Sequence, residues 1–129
     1  MVFDLQEKGG GNSDVINALY TNLAKYSGKF YVLINGGTFS SAVLVSELLA
    51  ANGAILVGQP SGLGKSGYGD VVAKTIGGLL VQTSTVPIAS PNGRQARALI
   101  RQIAVPITLY DVWHHINPVT EWLLHGMTG

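Results

Sequence analysis

The sequence predicts an α/β fold with a parallel sheet, and three observations predict it. Short apolar runs alternate with segments whose apolar residues recur at helical spacing, a clustered glycine break follows each run, and the composition is poor in charge. In a chain of 129 residues, 47% are hydrophobic, 12% charged and 17 are glycine. Strand, glycine turn, helix, strand is the grammar of βαβ units, whose strands are covered on both faces and so read as continuous rather than alternating apolar runs.

In chain order, residues 2–5 read as the end of a strand, and Lys8-Gly9-Gly10-Gly11 can only be a turn. Asn12 or Ser13 caps a helix with Val15, Ile16, Leu19, Tyr20 and Leu23 on its apolar stripe and Gly28 as its stop. Residues 29–34 form a second strand, broken by Asn35-Gly36-Gly37. Thr38 or Ser40 caps the helix that follows, with Ala42, Leu44, Val45, Leu48 and Leu49 facing inward and Glu47 on the polar side. Residues 54–58 are a third strand, followed by a loop with Gly62, Gly64 and Gly67 that carries Lys65. Residues 68–76 and 79–86 are two β-rich runs around Gly77-Gly78, a hairpin expected to extend the sheet edge. Residues 94–101 hold three arginines and read as a solvated segment. The tail at 106–111 and 118–124 suggests two short helices, the second opening on proline.

Composition narrows the function. A net charge of +1 without a basic cluster leaves no electrostatic footprint for nucleic acid. With no cysteine, disulfides, thiolate catalysis and cysteine metal sites are excluded. No apolar run reaches the ~18 residues of a membrane span. So little charge cannot coat a free monomer, which predicts a partner: a missing N-terminal half of the domain or a second copy of the chain. Residues 1–129 are read as one domain, incomplete because the chain opens in mid-sheet, and residues 1–11 have neither the basic start nor the apolar length of a signal peptide.

The chemistry concentrates at two turns. Ser40 and Ser41 lie where a helix begins, with outward N–H groups that favour developing negative charge. Ser40 precedes Lys65 by 25 residues. A serine hydroxyl needs a base to take its proton, and a lysine serves only when neutral, which burial in an apolar site promotes. The plainer reading makes Ser40 a helix cap, Lys65 an exposed loop residue and the triple glycine a tight turn.

The order of motifs resembles the tail-specific, or C-terminal processing, serine proteases. The resemblance rests on Thr38-Phe39-Ser40-Ser41-Ala42, then Gly58-Gln59-Pro60-Ser61, then Gly64-Lys65, and on Asp4, Leu5, Gly10 and Gly11 in the opening segment. It implies a crotonase (Clp-protease-like) fold, a Ser40 nucleophile with Lys65 as general base, and an oxyanion hole from the N–H groups of Ser41 and of Gly10 or Gly11. It implies a peptide or protein substrate, no cofactor and no metal, and an exported or membrane-associated full-length protein. Gln6 and Lys8 replace an Arg and an Asn of that pattern, departures expected to weaken the loop's supports. Val43 stands where a glutamate is frequent, so an orienting carboxylate would come from elsewhere, with Glu47 one turn further on.

Alternatives remain in view. Ser41 is the alternative nucleophile. A catalytically inactive binding module of the same fold, or a relative acting on acyl thioesters, would share the architecture. Gly64-Lys65-Ser66 looks like the end of a phosphate-binding loop, but Gln59 occupies the position of its first glycine and a strand follows where that loop must open a helix. His114, His115 and His125 could suggest a base or metal site, yet adjacent histidines diverge on a helix, and partly buried or solvated roles are expected for them.

Overall fold

The computed structural model describes residues 1–11, 23, 26–62, 68–69, 71–84, 86–87 and 102–126. The helix expected over 12–28 therefore lies largely outside the described residues, as do Gly64, Lys65, Gly67 and the segment 94–101.

Four parallel strands form the central sheet in the order β1 (Val2–Asp4), β2 (Tyr31–Ile34), β3 (Ile55–Gly58) and β8 (Ile103–Ala104). Helix α1 (Ser41–Ala51) joins β2 to β3. The side-chain period of two sorts β2 and β3 into two cores. Val32, Ile34 and Leu56 pack on one face with Val43, Val45 and Leu49 of α1, and with Leu23 and Phe30. Leu33 and Val57 pack on the other with Val105 and with Val119 of a C-terminal helix, α3 (Pro118–Gly126). Tyr31 meets Trp122 edge to face at 6.1 Å on that side. Burial on both faces explains why these strands carry no polar alternation.

Helix α1 departs from the expected stripe. Its buried residues are Ser41, Ala42, Val43, Val45, Ser46 and Leu49, while Leu44 and Leu48 are only partly buried. Ser46 tolerates full burial because its hydroxyl donates to the Ala42 carbonyl at 2.8 Å. The helix closes on a Schellman motif, with Gly53 N–H donating to Ala50 O and Ala54 N–H to Leu49 O.

The hairpin forms at Gly77-Gly78, but it does not extend the sheet edge. Strands β5 (Val72–Ile76) and β6 (Leu79–Thr83) pair with each other as a separate two-stranded sheet, solvent-exposed along its length. Each expected β-rich run is also divided, since β4 (Tyr68–Gly69) pairs with β7 (Val86–Pro87) in a further two-stranded sheet. The place beside β3 is taken by β8, whose two residues gave no periodic signal. It is pinned there by Gln102, whose side-chain oxygen accepts the Leu56 N–H at 2.6 Å.

Both tail helices are present. Helix α2 (Leu109–Trp113) opens on a capping box: the Thr108 hydroxyl accepts from Asp111 N–H, and the Asp111 carboxylate accepts from Thr108 N–H at 2.8 Å and from its hydroxyl at 2.6 Å. In α3, Pro118 takes the first helical position and the Asn117 side chain accepts from Val119 N–H at 3.0 Å and Thr120 N–H at 3.2 Å. Among the described residues no helix is long and apolar enough to cross a membrane.

Candidate active site

The loops that leave the carboxyl ends of β1, β2 and β3 meet at one end of the sheet, where open α/β sheets place their ligand crevices. After β2 the chain turns through Asn35, Gly36 and Gly37 and enters α1 at Ser40. Thr38 does not cap this helix. It is fully buried, its hydroxyl accepting the Asn35 N–H at 3.0 Å and donating to the Leu5 carbonyl at 2.8 Å, so it ties the β2 turn to the end of β1.

Ser40 occupies the N-cap position, yet its side chain makes no capping hydrogen bond. Its backbone sits at φ 54 and ψ −127, a region that costs a non-glycine residue about 1–3 kcal/mol and that recurs at functional turns. The hydroxyl is thus released from the cap role that its sequence position suggests. Ala42 N–H donates to Phe39 O and Val43 N–H to Ser40 O, while the N–H of Ser41 is the first of those a helix leaves without an intrahelical acceptor.

The glycine loop lies directly on this turn. Gly10 adopts φ 103, and a Cβ built on it would stand 2.7 Å from Ser40 Cβ, 2.9 Å from Ser41 N and 3.0 Å from Ser41 Oγ. Only glycine fits. The corresponding position on Gly11 meets nothing within 4 Å, so of the two candidate donors it is Gly10 that touches the serines. Phe39 N–H donates to Lys8 O at 2.9 Å and fixes the loop's distance from the turn.

From the other side comes the chain after β3. Gln59 N–H donates to Ile34 O at 3.0 Å and Gly62 N–H to Thr38 O at 3.2 Å. Gly62 presses so closely on the Gly36 carbonyl that a side chain there would collide with it. Lys65, three residues further along, lies outside the described residues.

Ser40, Ser41 and Gly10 are therefore brought together. Glu47 is not part of that group: seven residues along α1, it is roughly 10 Å of helix rise from Ser40, and its Oε2 is shielded from solvent with no hydrogen-bond partner. His114 packs against Tyr110 with the rings tilted by 42° and their centroids 4.2 Å apart, and His125 pairs with Glu121 at 3.2 Å. All three histidines are exposed. Sequence reasoning missed Asn35 and Glu7, which bridge the two loops, and misjudged Gln6. That side chain is buried and exchanges amide hydrogen bonds with Asn117, 3.1 Å in one direction and 3.5 Å in the other, so the loop gains a support from α3 where a weakened one was expected.

Residues 2–103 match the sequence profile of peptidase family S41. The chain belongs to that family. A search of curated proteins finds no significant match to this S41 chain. Solved structures resemble its fold. One is a protein of Parabacteroides merdae ATCC 43184 described as a peptidase (TM-score 0.72, 15% identity), with 95% of this chain and 50% of that one covered. A second is a photosystem II D1 C-terminal processing protease (TM-score 0.54, 16% identity), covering 88% and 37%. A third is mature CPAF (TM-score 0.55, 22% identity), covering 76% and 19%. The S41 chain thus spans half or less of the length of each neighbour.

Proposed function

We propose that this chain is the C-terminal part of a serine peptidase domain of the C-terminal processing type, with Ser40 as nucleophile and Lys65 as general base. The backbone N–H groups of Gly10 and Ser41 serve as oxyanion donors. The observation that carries the reading is the seating of Gly10 against Ser40 and Ser41 at the start of α1, 2.7–3.0 Å from a built Cβ, with the Ser40 hydroxyl not spent on the cap. Membership of a peptidase family supports peptide or protein as the substrate.

In the proposed reaction Ser40 Oγ attacks the scissile carbonyl while the neutral Lys65 amine takes its proton. The tetrahedral oxyanion is held by the two N–H donors, and losing one such donor typically costs roughly 2.7–4 kcal/mol of barrier. Lys65 then protonates the leaving amine, and the same lysine deprotonates the water that releases the acyl group. Neutrality at working pH needs a lysine pKa well below the ~10.4 reference. The partner expected to cover the chain's apolar surface is the N-terminal half of the domain or a second copy of the chain.

The test is peptide hydrolysis by the intact protein. Ser40→Ala and Lys65→Ala each abolish it, and the double change does little more, because the two act as a unit. Lys65→Arg is equally inactive, since a guanidinium does not give up its proton. Activity that survives Ser40→Ala but not Ser41→Ala moves the nucleophile by one residue. Activity retained in Lys65→Arg and lost on a His→Gln change at His114, His115 or His125 replaces the lysine with a histidine base.

A further inference from the structure

The Asn35 side chain sits between the two loops and bonds to both. Its Oδ1 accepts the Glu7 N–H at 3.1 Å and the Gly37 N–H at 2.9 Å, and its Nδ2 donates to Glu7 Oε1 at 2.7 Å. Glu7 lies three residues before Gly10, and Gly37 three residues before Ser40. One amide thus grips the donor loop and the nucleophile turn at matching distances along the chain. Glu7 is held at φ 53, a conformation unusual for a residue with a side chain, and two of the three bonds to Asn35 land on it. Backbone strain at a loop residue persists only where its surroundings over-determine it, and here the Asn35 amide is that determinant.

We infer that Asn35 is a positioning residue whose amide, clasped by the Glu7 carboxylate, sets the spacing between the Gly10 donor and Ser40. The inference rests on the catalytic reading above. It depends on donor and acceptor polarity more than on bulk. An amide offers one acceptor and one donor, whereas an ionised carboxylate only accepts. Asn35→Asp keeps the oxygen that receives Glu7 N–H and Gly37 N–H but sets two carboxylates face to face across the former 2.7 Å bond. Glu7→Gln leaves an acceptor oxygen in place, so the Asn35 bond survives. Combining the two changes restores the bond with its polarity reversed, the new amide donating to the new carboxylate.

The experiment measures kcat and KM for peptide hydrolysis, together with Tm, in the intact protein carrying Asn35→Asp, Glu7→Gln, both changes, or Ser40→Ala. Asn35→Asp lowers kcat roughly ten- to hundredfold, the scale of a reacting group misplaced by a fraction of an ångström to an ångström. KM stays within about twofold, because the change disturbs spacing and not uniform substrate binding. Glu7→Gln, which keeps the bond but gives up its charge, lowers kcat less than Asn35→Asp does, and the double variant recovers kcat to at least the Glu7→Gln level. A purely structural role would move Tm and the active fraction while leaving kcat per folded molecule unchanged. Wild-type kcat in Asn35→Asp, or a double variant as impaired as Asn35→Asp alone, overturns the positioning role while Ser40→Ala still reports an intact catalytic reading. Hydrolysis undiminished in Ser40→Ala overturns both.

Discussion

Replacing Gly10 with alanine tests the assembled site most directly. The added methyl carbon would sit 2.7 Å from Ser40 Cβ, whereas non-bonded carbons settle at about 3.5–4.0 Å, so the loop must retreat by roughly 1 Å. Ser40 cannot yield, because it opens α1, whose face is buried in the core. In the role proposed for Gly10, oxyanion donors act at about 2.7–3.1 Å, and a retreat of about 1 Å would carry its N–H beyond hydrogen-bond reach. The expected loss in kcat is therefore about 10²–10³-fold, with KM little changed. Stability suffers less. Gly10 is exposed, and its φ of 103 adds a strain of about 1–3 kcal/mol. The control is Gly9→Ala, where the added methyl meets nothing within 4 Å and activity should persist. Hydrolysis of a peptide substrate by the intact protein, with Tm recorded in parallel, separates the two effects. A Gly10→Ala enzyme within threefold of wild type (~0.7 kcal/mol in barrier), or a Gly9→Ala enzyme equally damaged, would refute the reasoning.

Thr38→Val keeps the shape of a fully buried side chain but orphans the Asn35 N–H and the Leu5 carbonyl. At roughly 1–3 kcal/mol per unsatisfied buried group, the urea midpoint should fall clearly at constant m, and an unchanged midpoint would show that the hydroxyl holds nothing. The Thr108 hydroxyl and backbone N–H both donate to the Asp111 carboxylate and hold its pKa below the ordinary aspartate value. The unfolded chain therefore takes up the proton first. The α2 cap contributes fully above about pH 4 and loses its contribution as pH falls through the folded-state pKa. An NMR titration should find the Asp111 midpoint below that of an ordinary aspartate and raised toward it by Thr108→Ala, which removes the hydroxyl donor and leaves the backbone N–H; equal midpoints in the two proteins would contradict the capping box.

The strands and the turn at Ser40 were legible because βαβ units advertise themselves by apolar runs that end on glycine. The opening proline of α3 was legible for a similar reason, since Pro118 has a fixed place at a helix start. What stayed hidden depends on contacts between residues distant in sequence. Asn35 reads as a turn residue, and nothing in the chain says that its amide reaches back 28 positions to Glu7. Gln6 meets Asn117 across 111 positions. The position of the hairpin was misread because two β-rich runs look the same whether they join a larger sheet or pair only with each other. Strand β8 is too short to carry a period. Helix α1 misled in a different way: Val43 and the small Ser46 are buried, and a pattern ranked by hydrophobicity and spacing gives them less weight than Leu44 and Leu48.

The register of the parallel sheet bears on how such a site tolerates change. Val2, Tyr31 and Ile55 stand level across β1, β2 and β3, as do Asp4, Leu33 and Val57. The three site loops therefore start from neighbouring rungs of one lattice, with strands about 4.8 Å apart. Spacing set this way changes in whole steps. Deleting one residue from β2 would pull its loop back by about 3.3 Å and turn every side chain of the strand to the opposite core. The same deletion in the exposed β5–β6 hairpin leaves the lattice untouched. Length variation in this chain is thus partitioned by the sheet itself, with a frame that admits no insertions and an outlying ribbon that can lengthen or shorten freely.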